Sequence, residues 1–135
     1  MSDRYFLDTN ILIYYIGDEI QKQEIAKGLI YSTNGIIISM QIINEFTNVC
    51  FKKLNFNEIE ITNLINLFKK RFDIKPVTLS TIYDAIDLKR VYKYSYYDSL
   101  MIASASEYSC DIVYSEDLTH RQIIENKIKI LNPFI

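Results

Sequence analysis

The chain has 135 residues, of which 49% are apolar and 24% charged, enough for one compact domain with a sizeable core and too few for two. Fifteen basic against 17 acidic side chains give a formal charge of −2, which argues against a nucleic-acid or membrane-surface binder driven by bulk positive charge. Cys50 and Cys110 form no CxxC pair and have no His cluster beside them, so neither a disulfide framework nor a structural zinc site is supported, and no apolar run nears the roughly 20 residues of a membrane span.

The charge is unevenly spread. Residues 52–93 hold 9 basic and 5 acidic groups, whereas the segments on either side are acidic, so a basic middle hides inside a near-neutral total. The opening Met1-Ser2-Asp3-Arg4 passes straight into a strand-like run without a signal-peptide pattern, and a cytoplasmic location is expected.

In chain order, Arg4–Asp8 is aromatic and apolar and ends on an acid, the pattern of a buried strand. Helical patterning follows in Asn10–Ile16 and in Asp18–Tyr31, where Ile20, Ile25, Leu29 and Ile30 form the expected apolar set. Gly35 introduces a second strand, Ile36-Ile37-Ile38-Ser39, and Ser39 is placed to cap a helix running to about Leu54 with Ile42, Ile43, Phe46, Val49 and Cys50 on one face. Asn57 is placed to cap the next helix, in which Ile61, Leu64, Ile65 and Phe68 recur at spacings of three and four. Pro76 closes that helix and a brief extended segment follows. Ser80 to about Tyr92 reads as a helix with Ile82, Ala85, Ile86, Leu88 and Val91 inward, and Tyr97–Tyr108 as another. Asp111–Ser115 and Lys127–Leu131 read as strands. Strands alternating with helices imply an α/β three-layer sandwich, a parallel sheet of about five strands flanked by helices, over residues 1–135. Ligands of such a sheet gather at the carboxyl ends of its strands, where strand order reverses.

Four acids stand at places that matter in that architecture. Asp8 ends the first strand, although an Asp there also serves as a helix N-cap. Glu45 borders an apolar stripe, although Gln41, Glu45, Asn48 and Lys52 also make an ordinary solvated face. Asp98 falls in a first helical turn, where the helix dipole alone favours an acid. Asp117 follows a strand in Ser115-Glu116-Asp117-Leu118, and Glu116 beside it points elsewhere in an extended segment. Taken together, two acids after strands and two near helix starts converge on one sheet edge. Four carboxylates sharing a pocket repel each other, and a divalent cation relieves that cost. Hard oxygen donors without Cys or His point to Mg²⁺ or Mn²⁺, and the chemistry implied is metal-assisted phosphodiester hydrolysis.

The segments Phe6-Leu7-Asp8-Thr9-Asn10-Ile11-Leu12-Ile13, Asn44-Glu45-Phe46, Tyr97-Asp98-Ser99-Leu100-Met101-Ile102-Ala103 and Ser115-Glu116-Asp117-Leu118, in this order, resemble the PIN-domain family and within it the VapC-type toxins. The ending Leu131-Asn132-Pro133-Phe134 is also similar to that of many such chains. The resemblance implies a Mg²⁺- or Mn²⁺-dependent endoribonuclease with Asp8, Glu45, Asp98 and Asp117 holding the metal. It also implies supporting hydrogen bonds from Thr9 and Ser115, with Asn10 orienting Asp8. Many members are toxins of type II toxin–antitoxin pairs that cleave tRNA or rRNA, form homodimers and are silenced by an antitoxin covering the acidic groove. Related chains often carry Gly soon after Ser-Glu-Asp-Leu; here Thr119-His120-Arg121-Gln122 continues the run.

Lys52 and Lys53 in the basic middle, and Arg121 in the run that follows Asp117, are candidate RNA contacts. His120 reads chiefly as a polar turn residue, since metal-bound water needs no histidine base. Tyr92, Tyr94, Tyr96 and Tyr97 surround Asp98 and invite base stacking, although tyrosine also fills half-buried core and dimer surfaces. Two other readings stay open: a non-catalytic α/β binding module whose acidic groove receives a basic peptide, and an aspartyl-phosphate enzyme using Asp8, for which Asn10 stands where a second acid is wanted.

Overall fold

Short strands alternate with helices in the computed structural model, which describes residues 3–135. Met1 and Ser2, part of the expected 1–135 domain and of the reading of the N-terminus, lie outside the described residues. β1 spans Tyr5–Leu7, α1 Thr9–Ile16, α2 Ile20–Ser32, β2 Ile36–Ser39, α3 Met40–Lys52 and α4 Glu58–Arg71. β3 (Asp73–Lys75), α5 (Leu79–Tyr92), α6 (Tyr96–Glu107), β4 (Ile112–Tyr114), β5 (Ile123–Ile124) and β6 (Ile128–Leu131) complete the order.

The strands make one six-stranded sheet in the order β3-β2-β1-β4-β6-β5. It is parallel except for β5, which pairs antiparallel with β6. The expected parallel sheet is thus present with an extra edge strand, and Ile123-Ile124 is too short to announce itself by alternation. Helices α1 to α4 pack among themselves and α5 packs on α6, while β2 touches both α3 and α6. All four residues of β2 are buried, as a strand covered on both faces requires.

Local chemistry explains most boundaries. Asn57 caps α4 as expected, and Glu60 completes a reciprocal capping box with it. Ser39 does precede α3, but its side chain makes no cap bond, and its hydroxyl is buried without a partner. The extended segment lies before Pro76, not after it: Phe72 is buried and ends α4, and Asp73 then pairs with Ile37. Gly35 turns the chain into β2 with a φ of +76°, and a Cβ there would sit 3.3 Å from the Asp3 carbonyl.

The core is one cluster built around Phe6, Leu7, Ile38, Phe46 and Phe68, with the rings of Phe46 and Phe68 edge to face at 5.0 Å. Cys50 and Cys110 are free and buried, and burial pushes their thiols up to about 11 and about 12, which makes them inert. Two apolar sets are only partly inward. Ile20 and Ile25 are exposed on α2, leaving Ala26 and Ile30 to pack, and Ile86 and Val91 are exposed on α5 together with Leu79 and Tyr83. Both sheet edges are short: β3 carries an Asp73–Lys75 ion pair at 3.1 Å, and β5 is followed by Glu125 and Asn126, both at φ +54°. Among the described residues no helix is long and apolar enough to cross a membrane.

Candidate metal site at the strand-order reversal

Strand order reverses at β1, whose neighbours are β2 on one side and β4 on the other, so the loops leaving β1 and β4 diverge and open a cleft between them. Leu7 is in register with Tyr114, and the Asp8 amide donates to the Tyr114 carbonyl at 2.9 Å, which sets Asp8 beside Ser115. The Ser115 hydroxyl, fully buried, donates to Asp8 Oδ2 at 2.7 Å, and Asp8 Oδ1 accepts the Thr9 amide at 2.7 Å as the N-cap of α1. Asp8 therefore caps α1 while it also lines the cleft, so its capping role does not exclude a functional one.

The same Ser115 oxygen accepts the amides of Asp117 at 3.2 Å and Leu118 at 3.4 Å, curling the loop after β4 so that Asp117 faces the cleft. Asn10 donates to Asp117 Oδ2 at 3.1 Å and accepts the Glu116 amide at 3.5 Å. Asn10 thus orients Asp117, whereas the sequence pointed to Asp8. Thr9 Oγ1 donates to Glu45 Oε2 at 2.7 Å, and Gln41 Nε2 donates to Glu45 Oε1 at 2.7 Å and to the Tyr97 carbonyl at 2.9 Å. Gln41 is buried, so it does not belong to the solvated face assigned to it from spacing; the start of α6 covers it. Ser95 caps α6 by accepting the Asp98 amide, which places Asp98 in the first turn of that helix.

Asp8, Glu45, Asp98 and Asp117 all line one cleft of about 500 Å³, with Thr9 and Asn10 in its wall. Lys53 lines it too; Lys52 and Arg121 do not. Arg121 is exposed in a left-handed turn at φ +70°, and His120 is spent structurally, its Nδ1 accepting the Asn132 amide at 2.9 Å. Burial, opposed by the bonds from Ser115 and Thr9 and reinforced by the charges of Asp117 and Glu45, pushes the Asp8 carboxyl up to about 6. A cation in the cleft would offset the cost of burying and crowding these carboxylates, and an all-oxygen donor set suits Mg²⁺ or Mn²⁺.

Among the described residues no three such side chains are drawn into a preassembled ligand cluster. Glu45 and Asp117 are held back by Thr9, Gln41 and Asn10, and like charges gain by standing apart. Mg²⁺ keeps several of its waters and takes one or two carboxylates directly, so an open ring of acids fits it.

The sequence has Glu116 pointing away from Asp117 but gives no sign of the partners that hold it there, Lys22 and Tyr14. Glu116 turns away from the cleft into a bond with Lys22 at 2.6 Å and another from the Tyr14 hydroxyl, and Lys22 lies 4.5 Å from the centre of the Tyr14 ring. Burial raises the Glu116 carboxyl, yet Lys22 and Tyr14 outweigh it and hold the group below its ordinary value. The only sequence signal was the adjacency of Glu116 to Asp117, since Lys22 is 94 residues away.

The PIN domain family matches residues 5–126 of this chain. No curated protein sequence matches it. Among solved structures, the backbone is similar to a toxin–antitoxin complex from Klebsiella pneumoniae, at TM-score 0.71 and 16% identity over 96% of this chain and 97% of that one. It is similar to VapC20 of Mycobacterium tuberculosis, a toxin that cleaves the sarcin-ricin loop, at TM-score 0.68 and 16% identity over 84% and 91%. It is also similar to VapBC2 from Rickettsia felis bound to a promoter DNA fragment, at TM-score 0.67 and 18% identity over 95% and 98%. At such identities the likeness is one of fold.

Proposed function

The chain belongs to the PIN-domain family, and from that premise we propose that it is a Mg²⁺- or Mn²⁺-dependent endoribonuclease, the toxin of a type II toxin–antitoxin pair acting in the cytoplasm. The observation that carries this reading is the convergence of Asp8, Glu45, Asp98 and Asp117 on one cleft at the strand-order reversal. These four residues would hold the ion, directly or through water, and the chemistry it would supply there is a more acidic water and charge stabilisation for the leaving oxygen of a phosphodiester.

The remaining residues set the stage for that chemistry. Ser115 and Thr9 fix both oxygens of Asp8, Thr9 and Gln41 fix both oxygens of Glu45, and Asn10 fixes Asp117, so the donor ring pays little reorganisation when a phosphate arrives. Lys53 stands at the cleft to meet the incoming backbone charge. The formal −2 also takes on another meaning, because setting the four cleft acids aside leaves +2 on the rest of the chain.

Two partners follow from the reading. An antitoxin with a basic segment silences the enzyme by covering the acidic cleft, in keeping with the toxin–antitoxin complexes whose fold this chain shares. A homodimer is supported by Leu79, Tyr83 and Ile86, which stand exposed at helical spacing on α5. The direct test is RNA cleavage by purified protein with Mn²⁺. Asp8→Asn and Asp98→Asn are each expected to abolish it with circular dichroism unchanged, and undiminished cleavage by either variant overturns the assignment. Calorimetric titration with Mn²⁺ separates this reading from a non-catalytic peptide-binding module, which needs no specific metal affinity.

A further inference from the structure

A second groove, of about 840 Å³, opens beside the acidic cleft and shares Glu45, Asn48 and Tyr97 with it. Its apolar lining is made by Pro76, Val77 and Leu100, with Met40 at the head of α3. Its near wall is α3, which presents Gln41, Asn44 and Asn48 along one face at spacings of three and four. Among the described residues Glu45 is the only charged one that lines it.

Tyr97 is 64% exposed at the junction of groove and cleft, and the Tyr96 ring meets its ring edge to face at 5.4 Å. An exposed aromatic face held in one orientation is a platform for a flat ring. Gln41 supplies an independent sign. Its Nε2 spends both hydrogens on Glu45 and the Tyr97 carbonyl, which fixes the amide's orientation, and its Oε1 is buried without a partner although the residue is only 7% exposed. An orphaned acceptor in a groove wall calls for an N–H donor. Asn44 and Asn48 are exposed, with no hydrogen bond to their side-chain amides among the described residues.

We infer that this groove is a nucleobase subsite: one unpaired RNA base, on a nucleotide next to the scissile phosphate, stacks on Tyr97 with its polar edge toward Gln41, Asn44 and Asn48. The inference rests on the ribonuclease reading for its RNA, and the observation that chooses a base over a peptide is this combination of apolar floor, aromatic platform and uncharged amides continuous with the phosphate-side cleft. Side-chain amides read base edges in either register of donor and acceptor, whereas a basic peptide would find only Glu45 to pair with.

Adenosine, which carries no phosphate, isolates the groove from the acids. Titrated into the full chain and followed by NMR, it is expected to move the side-chain amide signals of Gln41, Asn44 and Asn48. Tyr97→Ala should weaken that binding roughly tenfold, and Tyr97→Phe should retain it. With the active protein and an RNA of randomised sequence, the base preference beside the cut should flatten in Tyr97→Ala and persist in Tyr97→Phe. Amide signals unmoved by adenosine, or binding that Tyr97→Ala leaves intact, overturn the subsite. So do signals that respond only to a basic peptide or only to protein concentration, which would make the groove a partner or self-association surface. The nucleoside titration needs no catalysis, so a chain that binds adenosine through Tyr97 but cleaves no RNA would refute the ribonuclease reading, and a chain that cleaves RNA but ignores adenosine would refute the subsite alone.

Discussion

Replacing Asp8 by Asn removes one ionisable group while keeping its structural duties. Asn is as good an N-cap as Asp: its Oδ1 can still accept the Thr9 N–H, while its Nδ2 would donate to the Ser115 oxygen, the reverse of the present bond. The folded carboxyl sits at about 6 against an ordinary 3.8, raised first by burial, so the native state holds this proton more tightly than the unfolded chain does. Stability contributed by Asp8 is therefore highest below pH 4 and falls as pH rises through the window from about 4 to about 6. At about 1.4 kcal/mol for each tenfold change in proton affinity, ionising Asp8 costs the metal-free protein about 3 kcal/mol by neutral pH. Urea unfolding in EDTA, run from pH 4 to pH 7.5 on both proteins, should show equal stability at the acid end and Asp8→Asn ahead by up to about 3 kcal/mol at the other. Adding Mn²⁺ at pH 7.5 should close the gap and, at saturation, reverse the order, because the wild type gains binding energy, about 4.1 kcal/mol at a thousand times Kd. A difference between the two proteins that stays flat across this range would refute the claim that burial and neighbouring acids strain Asp8.

Ser115→Ala should drive the Asp8 carboxyl still higher, since the Ser115 bond is the largest influence lowering it, and carbon-13 titration of the Asp8 carboxyl would measure the move. The same change leaves the Asp117 and Leu118 amides without their acceptor, at about 1–3 kcal/mol of stability. Lys22→Met should cost under about 1 kcal/mol, the pair being partly exposed, yet weaken Mn²⁺ affinity measured by calorimetry, because it frees the segment carrying Asp117. Tyr83→Glu, at the middle of the exposed apolar strip of α5, should yield a monomer by sedimentation; an unchanged dimer would place the self-association surface elsewhere.

The legibility of this protein in its sequence follows the range of the forces involved. β1 with Asp8 just after it, α3, and the Asn57 cap of α4 are set by contacts within one or two turns, and each stands where periodicity and capping put it. Gln41 is different. Its spacing from Glu45 correctly placed the two on one helix face, but only the arrival of α6, more than fifty residues later, turns that face inward. The Lys22 bond to Glu116 is likewise invisible to any local pattern, and β5 exists only because β6 is there to pair with. The acids were legible as a set because the strand-order reversal gathers chain ends that lie far apart in sequence. Their spacing within the cleft was not, since it depends on Thr9, Gln41 and Asn10 holding individual oxygens.

The two abbreviated rims of the sheet limit how any other polypeptide can join it. A three-residue strand cut off by Pro76 and bearing its own ion pair, and a two-residue strand running into left-handed backbone, offer no ladder long enough to template an added strand. A partner chain must therefore bind by laying side chains into surface hollows or onto helices, not by backbone augmentation. The same economy protects the protein while it is at high concentration and without a partner, when an open sheet rim would seed fibrous aggregation.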